Sequence, residues 1–311
     1  MTINSMSPII PPFLLNQDKI EIVAPARCVE KNEIDLAINI IEMFGFRSNY
    51  NISLFHQKDI FAGTKKQRIE SLQLAIDNQE TKAIFFARGG YGSIQIIDDI
   101  DFTVFCKNPK WLVGFSDITT ILTHVYQKYK IQSIHGPMPF NFQNTEMASL
   151  TQVFNILKGK LDGMSFPPHR LNNVGVVSGE VIGGNLSILC SLIGSRSFMD
   201  LNTDSILFIE DVDEYIYHIE RMMYTLERSG VLKKIKGLIV GKMSNAKDNK
   251  IPFGKTAYQA ISDIVEKYEY PVCFNVPIGH GESNYSIVVG AKIELEVTKN
   301  SAKIQYFQHD K

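Results

Sequence analysis

Along the first half of the chain, short β-branched apolar runs alternate with longer stretches whose apolar residues recur at helical spacing. KIEIVAPA reads as a strand ended by Pro25, and EIDLAINIIEMFGF places Leu36, Ile40 and Phe44 at helical period with Gly45 as a stop. TKKQRIESLQLAIDN opens on Thr64 with Gln67 three residues later, a capping box, and carries Ile69, Leu72 and Ile76 on one face. A buried strand KAIFFA, a glycine loop RGGYG, a helix over SIQIIDDI, a strand KWLVGF and a helix DITTILTHVYQKY follow. This alternation predicts a parallel sheet covered by helices, because parallel neighbours need a crossover and the crossovers bury the sheet faces.

Between Asn141 and Asn173 the pattern weakens: LTQVFNILKGK is helical, but DGMSFPPHRLNN is rich in turn formers. A domain crossing is expected there, giving an N-terminal parallel-sheet α/β domain over 1–165 and a smaller C-terminal mixed α/β domain over 166–311. The second part reads as strand VVSGEVIGG, helix NLSILCSLIG, strand SILFIE, long helix YIYHIERMMYTLERSG, strand IKGLIVGK, helix TAYQAISDIVEKY and strand PVCFNVPIG. VGAKIELEVTKNSAKIQYF then predicts a hairpin turning at Lys299 and Asn300.

Composition narrows the function. Lys plus Arg (32) nearly balances Asp plus Glu (33), so no large field favours nucleic acid or an anionic membrane, and a small-molecule or peptide substrate is expected. Cys28, Cys106, Cys190 and Cys273 are scattered and mostly lie in apolar stretches, the mark of reduced core cysteines. The apolar run IIPPFLL near the N-terminus has no preceding Lys or Arg and is broken by two prolines, so a cytoplasmic protein is expected. No metal set of His and Cys stands out, and no cofactor is expected.

Four segments could carry chemistry. Ser116 lies where an apolar strand meets a helix, so its hydroxyl can face substrate while the amide of Asp117, at the positive end of the helix, faces a developing oxyanion. The alternative is a helix N-cap, and the hydrolase elbow's second glycine is replaced by Ile118. The loop Arg88-Gly89-Gly90-Tyr91-Gly92 follows a strand and could present backbone amides, or be an ordinary tight turn; it lacks the register of a P-loop or a dinucleotide loop. His280 stands between Gly279 and Gly281 at the end of a strand pattern, and it is a better candidate base than His124, His135 or His218, or than His56, His169 and His309, which read as surface or tail residues. Glu210 ends an apolar strand ahead of Asp211, Asp213 and Glu214, where a carboxylate could fix a histidine's tautomer or the group could simply be a solvated turn.

Taken together and in order, ARGGYG, GFSDIT, HGPM, GGNLS, FIED and PIGHG resemble the serine LD-carboxypeptidases, the muramoyltetrapeptide carboxypeptidases, a family that also includes immunity hydrolases of processed microcin C. The resemblance implies a Ser-Glu-His triad on Ser116, Glu210 and His280, with backbone oxyanion donors at Asp117 and Gly89, Gly90 being the weaker choice. It also implies barrel-like β structure in the C-terminal domain, an active site between the two domains, a homodimer, and a murein tetrapeptide substrate cut between a diamino acid and terminal D-alanine. Arg88 and Asn185 are candidates for binding the substrate's carboxylate. Two competing expectations are a microcin-type hydrolase cutting an aminoacyl-nucleotide amide and a non-catalytic protein that binds cell-wall fragments. The nucleotide reading calls for an aromatic platform, for which Trp111, Phe140, Phe142 and Tyr285 are the candidates.

Overall fold

A computed structural model describes residues 7–199, 201 and 204–307. The first half runs β1 (Lys19–Val23), α1 (Lys31–Met43), β2 (Arg47–Tyr50), α2 (Lys65–Asp77), β3 (Thr81–Phe86), α3 (Thr103–Lys107), β4 (Trp111–Gly114), α4 (Thr119–Tyr129), β5 (Ser133–His135), α5 (Met147–Leu157) and β6 (Met164–Phe166). The second half runs β7 (Gly175–Asn185), α6 (Leu186–Leu192), β8 (Ser205–Val212), α7 (Ile216–Arg228), α8 (Val231–Lys234), β9 (Gly237–Ser244), α9 (Ala257–Val265), β10 (Val272–Cys273), β11 (Ile287–Val289), β12 (Lys292–Val297) and β13 (Ala302–Tyr306).

The strands form two sheets, and the architecture is mixed α/β. In the first, β2, β1, β3, β4 and β5 are parallel neighbours in that order, and β11 adds an antiparallel edge beyond β5. In the second, β10, β9, β8 and β7 run parallel, then β12, β13 and β6 continue antiparallel. Asn173, just ahead of β7, bridges Val272 of β10, so the parallel stretch curls until its two ends touch, which is its barrel-like character. The crossing of β11 into the first sheet and of β6 into the second ties the halves together. One apolar cluster accordingly runs through both, from Ile22, Phe85 and Val113 to Leu207, Ile239 and Leu295. A second cluster, including Phe86, Leu112, Ile118 and Ile121, fills the other face of the first sheet.

Local chemistry set most elements. The Thr64–Gln67 capping box forms, and Leu72 and Ile76 are buried. The C-terminal hairpin pairs Val297 with Ala302 around Lys299 and Asn300. Three expectations are corrected. In α1 the buried stripe is Ile34, Ala37 and Ile41, while Leu36 is exposed; the helix is apolar on adjoining faces, and packing on the sheet chose between them. SIQIIDDI forms two 3-10 turns, Ser93–Gln95 and Ile97–Asp99, because it starts from Gly92 at φ 141° without a side-chain cap and buries the adjacent Ile96 and Ile97, which a single helical stripe would separate. PVCFNVPIG pairs as a strand only at Val272 and Cys273, since Asn275 (φ 60°) and Gly279 (φ 103°) leave the extended region and Pro277 has no N–H for a ladder.

Candidate active site

β4 is short and wholly buried, and it delivers the chain to the carboxyl edge of the first sheet. Gly114 allows the tight exit, since an added Cβ would lie 2.9 Å from Ile118 Cγ2. Two residues on, Ser116 adopts φ 61°, the left-handed region that costs a residue with a Cβ about 1–2 kcal/mol. The cap positions of the 3-10 turn Ser116–Ile118 and of α4 are Phe115 and Ile118, and neither end has a side-chain cap bond. The Ser116 side chain is therefore not a helix cap. Strain of this sort persists where the surrounding structure over-determines it, commonly at functional sites.

The loop after β3 closes over the same point. Gly89 lies so near that an added Cβ would stand 3.0 Å from Ser116 Cβ, 3.2 Å from its Oγ and 3.3 Å from the Asp117 nitrogen. The loop's Gly90 and Gly92 have φ 101° and 141°. Asp117, whose backbone amide starts the turn, accepts the Ser93 N–H on Oδ2 at 2.9 Å, and buried Arg68 donates to Pro25 O, Gly92 O and Gln95. Burial raises the Asp117 pKa despite hydrogen bonds from Ser93 and Gly92 and the charge of Arg68. These bonds pin the glycine loop to the Ser116 turn. Arg88 stacks its guanidinium 3.9 Å from the centre of the Phe140 ring and makes one long hydrogen bond to the Cys28 carbonyl at 3.5 Å.

The second sheet supplies the opposing wall. Glu210 stands in β8 opposite a bulge in β9: Ile209 pairs with Val240 but Asp211 with Met243, so Gly241 and Lys242 together face it, and because β8 is buried on both faces Glu210 and Asp211 are both enclosed. It is fully buried, and its Oε2 accepts from His280 Nδ1 at 2.7 Å. Gly279 makes this approach possible: an added Cβ would collide with Oε2 and stand 2.7 Å from Cβ and Cγ of Glu210. Gly279 thus gives room to the carboxylate partner of the imidazole. Asn284 Oδ1 accepts the Gly279 N–H at 2.8 Å and Ser244 Oγ donates to the His280 carbonyl, so the segment carrying the imidazole is held at both ends. Burial pulls against both charges, yet the mutual attraction prevails: the Glu210 pKa is lowered and that of His280 raised from its ordinary value.

The two walls meet at Phe115, whose ring centre is 4.7 Å from that of His280 and which directly precedes Ser116. Asn185 N–H donates to Thr119 Oγ1 at 3.1 Å, fixing the end of β7 to the start of α4. The structure thus brings together Ser116, Gly89, Asp117, Glu210 and His280. Among the described residues no hydrogen bond links Ser116 to His280.

Asn185 departs from expectation. Its Oδ1 accepts from Ile188 N at 3.2 Å and Ser187 Oγ at 2.7 Å, and its Nδ2 donates to Asp211 Oδ1 at 2.9 Å. It is an N-cap for α6 with its amide already spent, not a group free to meet a substrate. Asp211 completes that network through Ser187 N, and burial pushes its pKa up to about 6, helped by the charge of Glu210. Nothing local in FIED or GGNLS separates these capping roles from chemical ones, and Asn284 was likewise silent in the sequence. The other histidines are occupied elsewhere: His124 with Ser197, His218 with Glu214, and His169 against Tyr258 and Phe274. His56 is half-buried, and His309 lies outside the described residues. His135 is fully buried beside the site.

Both halves of the chain are similar to known proteins. Residues 20–136 match the LD-carboxypeptidase N-terminal domain, and residues 178–295 match the LD-carboxypeptidase C-terminal domain. A probable murein peptide carboxypeptidase of Bacillus subtilis is 30% identical over 301 residues, covering 94% of each chain. The microcin C7 self-immunity protein MccF of Escherichia coli is 25% identical over 324 residues, covering 93% of each. The solved muramoyltetrapeptide carboxypeptidase from Oxalobacter formigenes superimposes with a TM-score of 0.85 at 26% identity, over 94% of this chain and 100% of that one.

Proposed function

Because the chain belongs to the LD-carboxypeptidase family and is a hydrolase of that family, we propose that it releases terminal D-alanine from murein tetrapeptides by a Ser116–Glu210–His280 mechanism. The observation that carries this reading is the buried Glu210–His280 pair set against a left-handed Ser116. Glu210 accepts a hydrogen bond from Nδ1–H, which leaves Nε2 of neutral His280 as the basic nitrogen. His280 takes the Ser116 proton as Oγ attacks the carbonyl between the diamino acid and D-alanine. The oxyanion develops beside the amides of Asp117 and Gly89, whose backbones converge on Ser116. The imidazolium, stabilised by Glu210, then protonates the departing amine, and water activated by the same nitrogen hydrolyses the acyl-enzyme. The diamino acid at the third position, diaminopimelate or lysine, and a homodimeric assembly belong to the same proposal.

The aromatic groups available bear on the nucleotide alternative. Trp111 is fully buried, donates to Pro12 O at 3.1 Å and stacks on Phe13; Phe142 is in the core, and Phe140 already carries the Arg88 guanidinium. Only Tyr285 of the four is left to stack on a base, which favours the peptide substrate. The test is D-alanine release from a murein tetrapeptide, run beside an aminoacyl sulfamoyl-adenosine and with Ser116→Ala as control. Release abolished by the substitution is expected. Preference for the nucleotide would move the assignment to the immunity hydrolases, and tetrapeptide binding without turnover would leave a binding protein.

A further inference from the structure

His135 ends β5, in register with Gly114 of β4 on one side and Ile287 of β11 on the other. Its ring is completely buried between aromatic walls, 5.0 Å from the Phe208 ring centre at 79° and 5.9 Å from that of Phe115 at 67°. Phe115 in turn packs on His280, and Phe208 lies two residues before Glu210 on the same strand and face. Among the described residues, both ring nitrogens of His135 are buried without a hydrogen-bond partner. So is Glu210 Oε1, the carboxylate oxygen that His280 does not use.

A neutral imidazole carries one N–H donor, and a carboxylate oxygen can only accept. Leaving either unsatisfied in the interior is costly, and the more so for the charged partner. Here the two deficits are complementary, and the charged groups that act on His135 are Glu210 from β8, two residues beyond the Phe208 ring that His135 packs on, and His280 from the segment after β10, packed on the Phe115 ring that His135 also meets. Burial, acting against charging, lowers the His135 pKa to about 4, so the ring is neutral and able to donate at neutral pH.

We infer that His135 is a positioning residue for the reaction proposed above, its ring N–H holding Glu210 Oε1 directly or across one bridging water. Glu210 is then gripped at both oxygens, one by each histidine. The grip stops the carboxylate from rotating and keeps its other oxygen aimed at His280. It also spreads the negative charge, which moderates how strongly His280 holds its proton.

The inference rests on the proposed hydrolase reading, and its test is arranged to fail separately. His135→Phe keeps an aromatic ring but removes the donor, whereas His135→Gln restores an N–H. For the phenylalanine variant kcat on the tetrapeptide should fall about 10- to 100-fold, the range typical when an outer hydrogen-bond partner of an active-site ligand is removed. KM should be unchanged, and the acid limb of the kcat profile should move to higher pH because Glu210, with its charge less shared, holds the His280 proton more tightly. His135→Gln should recover much of both. A folded His135→Phe with wild-type kcat and an unmoved acid limb would overturn the inference, as would a loss that the glutamine variant leaves wholly unrepaired. If neither variant folds, the wild-type protein decides through nitrogen NMR of labelled histidines, with no substrate present. A single neutral His135 tautomer whose N–H resonance shifts in Glu210→Gln is expected, and a resonance indifferent to that substitution overturns it. Should wild type show no turnover at all, the hydrolase reading fails while the NMR comparison still judges the contact.

Discussion

Replacing Gly279 by alanine tests whether the Glu210–His280 pair is assembled by backbone space. The new methyl meets two obstacles. Gly279 has φ 103°, outside the range comfortable for a residue with a Cβ, which costs about 1–2 kcal/mol. The methyl would also stand 2.7 Å from Cβ and Cγ of Glu210, a fully buried side chain with Gly241 packed behind its Cβ, so it cannot simply swing away. Overpacking of this kind adds about 1–3 kcal/mol, for a combined loss of about 2–5 kcal/mol. A domain with about 5–15 kcal/mol of stability stays folded after all but the largest of these losses, so kinetics remain measurable. Relieving the clash moves the carboxylate from His280 by a sizeable fraction of an ångström, and a displacement near 1 Å can cost about 100-fold in rate. Urea unfolding gives the first quantity and D-alanine release the second, with kcat rather than KM carrying the loss. Gly281→Ala is the matched control: its Cβ finds nothing closer than Ser283 O at 3.6 Å, and its stability should stay within about 0.5 kcal/mol of wild type. If the two alanine variants behave alike, the steric account of the pair is wrong.

The turn at Ser116 offers a second check: Ser116→Gly and Ser116→Ala should both be inactive, but glycine should unfold at higher urea, by about 1 kcal/mol, because it alone escapes the left-handed penalty at φ 61°. Equal stability of the two would mean the turn is unstrained. Gly89→Ala keeps the backbone N–H but puts a methyl 3.0 Å from Ser116 Cβ and 3.2 Å from its Oγ, and should lower kcat by displacing the nucleophile, by about 100-fold for a shift near 1 Å; full activity would mean that the loop does not close on Ser116 as tightly as its geometry implies. The base must be neutral to act, and the His280 pKa is raised above its ordinary 6.5, so kcat/KM should climb with pH along a limb centred above that value. In Glu210→Gln the limb should shift down as the activity falls, and a limb unmoved by that change would assign it to another group.

Local patterns in the sequence carried the alternation of strands and helices, the capping box at Thr64 and the terminal hairpin, while ordered motifs marked Ser116, Glu210 and His280 as the candidates. These are properties of residues a turn or a strand apart, where periodicity and capping act whatever the rest of the chain does. Tertiary structure decided the remainder. Whether Ser116 caps a helix or bends backward depends on Gly89 and α4 closing around it. Whether an asparagine or an acid is chemical or structural depends on which backbone ends it meets: Asn185 and Asp211 look as eligible as Glu210 until α6 claims them. The burial of Ile34 over Leu36, the passage of β11 into the first sheet and the empty hydrogen-bonding sites of His135 and Glu210 arise from contacts between distant segments. A sequence records which groups can hydrogen-bond or pack, but only the assembled fold determines which of them find each other, because burial turns a near neighbour into an obligatory partner.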